Sequence, residues 1–283
     1  MNASLSAVIY EPVVRAALAE DLGRAGDLTT EALIDTQALA DADLVVRKPG
    51  CIAGLDIALS TFSLLKGGAV EIVKKVADGE FVSPGQVLAQ LHGSAQSILT
   101  AERTALNFLG HLSGIATLTR QMADRCAGHK ARVVCTRKTL PGLRSLQKYA
   151  VRLGGGRNHR FGLDDAVMIK DNHIAVCGGI AAAVNRVRSH IGHMVKISVE
   201  VDRLDQLSEL LTTNADVVLL DNMGLTELRQ AVSMARGRIA TEASGGVTLE
   251  TIGDIAATGV DYISVGFITH SAPNLDVALD IRL

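Results

Sequence analysis

The chain has no tryptophan, and aromatic residues make up 3% of it. Platforms for stacking exposed bases need several rings, so this argues against single-stranded nucleic acid as a ligand. Its four cysteines, Cys51, Cys126, Cys135 and Cys177, form no CxxC pair, which argues against a disulfide framework or a structural metal site. Cys135 falls in an apolar run and reads as core rather than as a nucleophile. No apolar run approaches the roughly 20 residues of a membrane span. The opening MNASLSAVIYEP lacks the basic-then-apolar order of a secretion signal. Neither sign of charge dominates, with 28 basic residues against 30 acidic and a net charge of −2. No overall field therefore draws the chain to nucleic acid or to a membrane. The remaining composition, 48% hydrophobic and 20% charged over 283 residues, suits one large or two moderate globular cores. These absences together point to a cytoplasmic enzyme.

Residues 1–112 carry a mixed pattern. Pro12 reads as a helix start, with Val13, Val14, Ala17 and Leu18 on one face. Gly26 to Thr30 reads as a loop with a cap. Leu44–Arg47 and Cys51–Ala53 read as short strands about a turn at Pro49-Gly50, and Ile57–Leu65 as a helix. Val70–Val76, Phe81-Val82 and Val87–Leu91 then read as strands joined by turns. Strands following one another predict an α+β domain with a partly antiparallel sheet. Ile98–Leu112 is a strong helical pattern; Ser113-Gly114 breaks it and Ile115–Cys126 resumes it. The domain boundary is set at that break.

Residues 113–274 alternate strand and helix. Apolar runs end at Arg137, Lys170, Glu200, Asp221, Glu242–Gly246 and Gly266, and helical patterns occupy Ile180–His190, Leu204–Leu211, Leu225–Arg236 and Leu249–Thr258. Alternation with nearly continuous apolar strands predicts a parallel sheet covered on both faces. Six units fall short of a full barrel of eight, and periodicity does not separate an incomplete barrel from a doubly wound sheet. The last residues, 275–283, are expected to return to the first domain.

The strand ends carry the chemistry. Arg137 and Lys138 close the first strand, and a loop with Arg157, His159 and Arg160 follows a helix stopped by Gly154–Gly156. Lys170 and His173 close the second strand. In parallel α/β folds the carboxyl ends of strands line the active site, so this cluster predicts a pocket for carboxylates and phosphates. Lys170 also sits where a Schiff-base lysine is often found, which would need neighbouring cations to activate it. Glu200 and Asp221 end neighbouring strands. A lone carboxylate there is usually a helix cap, but two facing a basic cluster predict a site for Mg2+ or sugar hydroxyls. Ser244-Gly245-Gly246 is read as opening a helix, and Ser264-Val265-Gly266 repeats the theme; two such loops predict a phosphate site.

These pieces also carry a resemblance. Thr136-Arg137-Lys138-Thr139-x-Pro141-Gly142-Leu143-Arg144, Gly154-Gly155-Gly156-Arg157-Asn158-His159-Arg160-Phe161-Gly162-Leu163 and Ile169-Lys170-Asp171-Asn172-His173-Ile174 stand in the order and spacing of the quinolinate phosphoribosyltransferases, the decarboxylating nicotinate-nucleotide pyrophosphorylases of NAD biosynthesis. Further matches include Glu20-Asp21-Leu22-Gly23, Ala101 to Asn107, Leu220 to Met223, Glu242 to Val247 and Thr269 to Pro273, so the resemblance extends over nearly the whole chain. It implies an open α/β sandwich followed by an incomplete TIM-like α/β barrel. It also implies dimers or higher homo-oligomers with a shared active site. Arg103 resembles the arginine that enters the neighbouring subunit's site. Arg137, His159, Arg160 and Lys170 resemble the residues that bind the quinolinate carboxylates. Lys138, Glu200, Asp221, Ser244, Gly245, Gly246, Gly266 and His270 resemble those around phosphoribosyl pyrophosphate and its Mg2+, with Thr136 and Ser264 among the further substrate contacts. Lys138, Lys170, Glu200 and Asp221 are the expected catalytic groups, and Glu200 and Asp221 the expected metal ligands.

Overall fold

The computed structural model describes residues 4–65 and 68–282. The outermost residues of the two spans above, 1–3 and 283, lie outside the described residues. The structure divides into two units. One comprises residues 1–120, 139–155 and 268–283, and the other residues 121–138 and 156–267.

The first unit opens with α1 (Ala7–Leu22) and α2 (Leu28–Leu33). Pro12 does not start α1 but lies inside it. The carbonyl that its missing N–H leaves unbonded belongs to exposed Val8, where water can satisfy it. Asp27 caps α2, accepting from the Thr30 N–H at 3.0 Å. The expected loop with a cap therefore continues into a short helix of six residues. The strands β1 (Leu39–Val46), β2 (Gly50–Cys51), β3 (Val70–Lys74), β4 (Phe81–Val82) and β5 (Val87–Ser94) follow, with α3 (Leu55–Leu64) between β2 and β3.

Then comes α4 (Ala95–Arg125), a single helix of 31 residues that crosses the expected break without interruption. Its small residues serve packing. Ser113 is fully buried and its hydroxyl meets the Ala53 N–H at 3.0 Å. A Cβ on Gly114 would stand 2.1 Å from the Pro273 carbonyl oxygen. Four strands form an antiparallel sheet in which the last strand of the chain (Val277–Arg282, β12 below) pairs with β1, and β1 and β3 flank β5. Leu44, Val46, Leu88 and Leu91 of this sheet join Phe62 of α3 and Ile98, Ala105 and Leu109 of α4 in one core.

The first strand of the second unit, which takes in the end of α4 from residue 121, is β6 (Arg132–Val134). In chain order there follow α5 (Arg144–Leu153), which belongs to the first unit, β7 (Val167–Ile169), α6 (Asp171–Cys177), α7 (Ile180–Arg188), β8 (Ile197–Val201), α8 (Leu204–Leu210), β9 (Val217–Asp221), α9 (Leu225–Ala235), β10 (Ala240–Ser244), α10 (Ile252–Ala256), β11 (Tyr262–Ser264), α11 (Phe267–His270) and β12 (Val277–Arg282). The six strands β6 to β11 are parallel in the order β6-β11-β10-β9-β8-β7. Strand order follows chain order and the first strand pairs with the last. A doubly wound sheet instead reverses its order at a switch point, so this is an incomplete α/β barrel. On the other edge of β6, the Arg157 N–H donates to the Val133 carbonyl at 2.9 Å and the Cys135 N–H to the Arg157 carbonyl at 3.1 Å. That loop occupies the edge left open between β6 and β7.

Candidate functional site

Side chains alternate across a strand, and residues level in register share a face. In β8 to β10, Glu200 is level with Leu219 and Leu219 with Glu242, and Asp221 is level with Ser244. Further round, Glu242 is level with Tyr262 and Ser264 with Val134. One face of the sheet therefore carries Ser198, Glu200, Asp221, Glu242, Ser244 and Ser264. The opposite face carries Val199, Val201, Val218, Leu220, Ala243 and Ile263, all buried, and α8, α9 and α10 pack over β8, β10 and β11. The apolar face meets the helices, so the polar face lines the barrel interior.

At the carboxyl ends of the strands this face gathers charge. Lys170, one residue beyond β7, puts its ammonium 2.6 Å from Glu200. The partner that Lys170 meets is thus a carboxylate, whereas a Schiff-base lysine would need neighbouring cations. His173 belongs to α6, which the sequence did not reveal, and its Nδ1 accepts from the Lys170 N–H at 3.0 Å. That ring fastens the helix start. Asp221 accepts at 2.8 Å from the side-chain amide of Asn222.

The Arg157–Arg160 loop is anchored at several points. Besides the backbone bonds to β6, Asn158 accepts from the Cys135 thiol at 3.4 Å. Asp165 braces the next turn, accepting from the Phe161 and Gly162 N–H groups at 2.5 and 2.9 Å. Arg160 donates to the Ala166 carbonyl at 2.9 Å. Its guanidinium is pushed below its ordinary pKa by burial and then by Arg137 close by, with Asp165 acting the other way. Like charges that repel in this way are better accommodated with an anion between them. His159 is mostly buried; its Nε2 lies 3.4 Å from the carboxylate of Glu242, and its Nδ1 accepts from the Arg160 N–H at 2.7 Å.

The first glycine loop differs from its expected form. Gly245 and Gly246 have φ of +97° and +58°, a conformation open to glycine, but α10 starts only at Ile252. The loop does not open directly into a helix; Val247 to Thr251 intervene, with Thr248 and Thr251 bonded to each other. A Cβ on Gly245 would lie 2.1 Å from the side-chain oxygen of Asn222. Asn222 itself has φ of +53°, and its N–H donates to the Ser244 carbonyl at 2.9 Å. Gly266 does stand at a helix start, directly before α11.

The structure thus brings Arg137, His159 and Arg160 into one group and Lys170 with Glu200 into another. It also places Asp221, Ser244 and Ser264 on the interior face. Thr136 and Lys138 lie just beyond β6, where the Lys138 N–H donates to the Thr136 hydroxyl at 3.0 Å, and Lys138 is exposed. Arg103, exposed on α4, and His270, whose Nδ1 lies 2.6 Å from the Ser271 hydroxyl, belong to the first unit. The sequence reading passed over two residues. Asn222 and Glu242 both stood inside quoted motifs without being singled out, and strict alternation from Ser244 would have placed Glu242 on the interior face. No helix among the described residues is long and apolar enough to cross a membrane.

The sequence models of the quinolinate phosphoribosyl transferase N-terminal and C-terminal domains match residues 27–113 and 115–280. The chain is 47% identical over 265 residues to the probable nicotinate-nucleotide pyrophosphorylase (carboxylating) of Bacillus subtilis, covering 93% of this chain and 90% of that protein. It is 41% identical to a mitochondrial quinolinate phosphoribosyltransferase (decarboxylating) of Nicotiana tabacum, over 95% of this chain and 81% of that one. The solved nicotinate-nucleotide pyrophosphorylase of Francisella tularensis superposes with a TM-score of 0.94 at 39% identity, covering 100% of this chain and 99% of that one.

Proposed function

This chain belongs to the quinolinate phosphoribosyltransferase family, and from that premise we propose how its residues divide the work. The chain is a decarboxylating pentosyltransferase of NAD biosynthesis. It joins quinolinate to phosphoribosyl pyrophosphate and yields nicotinate mononucleotide, pyrophosphate and carbon dioxide. The observation that carries this reading at the site is the interior face bearing Asp221 and Glu200, with Lys170 paired to Glu200 at 2.6 Å and Arg160 anchored at the loop by the Ala166 carbonyl at 2.9 Å, under the positive charge of Arg137. Quinolinate brings two adjacent carboxylates, and two guanidinium forks suit such a dianion.

The pyridine nitrogen attacks the anomeric carbon of the ribose as pyrophosphate leaves with the bonding pair. No protein nucleophile is needed, and catalysis comes from positioning and from stabilising charge. Lys170 joins Arg137, His159 and Arg160 in receiving the quinolinate carboxylates, Lys138 serves the phosphates, and Glu200 and Asp221 serve the ribose hydroxyls and its developing positive charge. Ser244, Gly245, Gly246, Ser264, Gly266 and His270 take the remaining phosphate and ribose contacts, and Thr136 supports Lys138. Once the nitrogen is quaternised, the C2–CO2 bond breaks and its electron pair is held on the ring carbon beside the cationic nitrogen until a proton is taken up. Glu200 and Asp221 also fit Mg2+, because that ion is usually held by one or two carboxylates and completed by phosphates. Among the described residues no group of three potential ligands forms a ready-made cage. When bound there, the ion would neutralise charge on the leaving pyrophosphate.

We assign the protein to the cytoplasm and to a homodimer or higher homo-oligomer in which Arg103 serves the neighbouring subunit's site. Its exposure on α4 and the resemblance support that assignment. The test supplies purified protein with Mg2+, phosphoribosyl pyrophosphate and either quinolinate or nicotinate, and follows nucleotide and carbon dioxide together. Equal amounts of both from quinolinate alone are expected. Turnover of nicotinate in its place would mean the arginine pair has been misread.

A further inference from the structure

Glu242 has no part in the chemistry above, yet it is a carboxylate inside the barrel with 4% of its surface exposed. A buried carboxylate is costly unless it is paired and hydrogen-bonded. One oxygen, Oε2, faces the His159 ring at 3.4 Å, and the other, Oε1, is buried without a hydrogen-bond partner among the described residues. The other ring nitrogen of His159 accepts from the Arg160 N–H at 2.7 Å, so it carries no proton in this arrangement and the proton sits on Nε2, toward Glu242. Both ring nitrogens thus face groups of the protein, one the interior strand β10 and the other the backbone of Arg160.

We propose that Glu242 is a positioning residue: through the His159 ring it fixes the backbone of Arg160 and so aims the Arg160 guanidinium at a carboxylate of the substrate. His159 then acts as the link in this chain, and its contribution to quinolinate binding passes through Arg160. The inference rests on the reading that Arg137 and Arg160 receive quinolinate. A carboxylate on β10 suits the task because the strand is held on both sides, by β9 and β11, whereas the loop is held on one edge only. A rigid strand sets the loop's position through one side-chain contact.

The test compares Glu242→Gln, His159→Ala and the double variant by steady-state kinetics, with the wild type and Arg137→Ala beside them. Glu242→Gln keeps the size of the side chain and removes the charge, so the fold is retained; a matching thermal melt checks this. The expected result is a KM for quinolinate raised about tenfold, as for loss of a hydrogen bond to a charged group, with the KM for phosphoribosyl pyrophosphate within twofold of wild type. The double variant should be no worse than His159→Ala, because both changes break one chain. Glu242→Asp, which keeps the charge and shortens the reach, should fall between Gln and wild type. An unchanged quinolinate KM in Glu242→Gln would overturn the proposal, as would losses that simply multiply in the double variant. If the wild type does not turn over quinolinate, or Arg137→Ala leaves its KM unaltered, the reading of the arginine pair has failed. If both of those controls behave and Glu242→Gln does not, only the role given to Glu242 has failed.

Discussion

Arg137 is where a strand end, a neighbouring guanidinium and an expected dianion coincide, and it carries the sharpest single-residue prediction. Replacing it with alanine removes one fork and also relieves its repulsion of Arg160. The fold should survive, and kcat/KM for quinolinate should drop by about 100-fold, as for loss of a bidentate charged contact of roughly 3 kcal/mol. Unchanged steady-state kinetics with an unchanged melting curve would remove Arg137 from the site. Gly245→Ala tests the glycine loop. A Cβ there meets the Asn222 side chain at 2.1 Å, on a backbone at φ +97°. Strain of about 1–3 kcal/mol should move Asn222 and, with it, the hydrogen bond to Asp221, raising the KM for phosphoribosyl pyrophosphate well above that for quinolinate. Equal effects on the two substrates would mean the loop serves the fold alone. Arg137, Lys170, Glu200 and Asp221 were legible because apolar runs that end in charge mark strand ends. Glu242 was not singled out because a carboxylate inside a strand looks, in sequence, like any polar residue on an exposed face. Only register and burial distinguish the two.

At the scale of elements, the helices read most faithfully were those with long apolar stripes, such as α9 and the first half of α4. The failures share a cause: small and special residues were taken as punctuation where the fold uses them for contact. Ser113 and Gly114 seemed to end a helix, yet α4 runs through them because a neighbouring segment comes too close for a side chain. This yields an opposed pair of expectations. Glycine within a helix is intrinsically about 1 kcal/mol worse than alanine, so propensity alone predicts that Gly114→Ala stabilises the protein. The 2.1 Å approach to the Pro273 carbonyl predicts that it destabilises by about 1–3 kcal/mol, the usual cost of overpacking. Urea unfolding decides by the direction of the midpoint shift. The short helices α2 and α6 gave too few turns for periodicity to register, and each is fixed by a side chain at its start, Asp27 or His173. Those contacts depend on one residue reaching another three along and are easily passed over as loop chemistry.

The whole molecule depends on pairings that no local pattern records. Whether six strand–helix units make a barrel or a doubly wound sheet is decided by β6 meeting β11, more than a hundred residues apart in the chain. Periodicity carries no trace of that contact. The same sheet separates stability from chemistry along its strands. At the amino ends, opposite the site, Asp216 receives Lys196 at 2.7 Å, Arg188 at 2.8 Å and the Ile197 N–H at 2.9 Å. Asp261 receives Lys130 at 3.0 Å, together with the N–H and hydroxyl of Thr241 at 2.9 and 2.8 Å. Burial pushes both carboxyls up, but these donors outweigh it and both lie below the ordinary aspartate value of 3.8. A group held low in the folded state stabilises it above the unfolded value and loses that contribution as pH falls from there through the folded value. Stability of the barrel should therefore be flat near neutrality on this account and fall as pH drops below 3.8. Asp216→Asn should cost about 1–2 kcal/mol at pH 7, a figure kept low because Lys196 is largely exposed, and should flatten part of that acid slope. Because Asp216 sits at the far end of the strands from Glu200 and Asp221, both KM values should be unmoved in the same variant. A raised KM for either substrate with unchanged acid stability would reverse the division, making the amino ends of these strands part of the site.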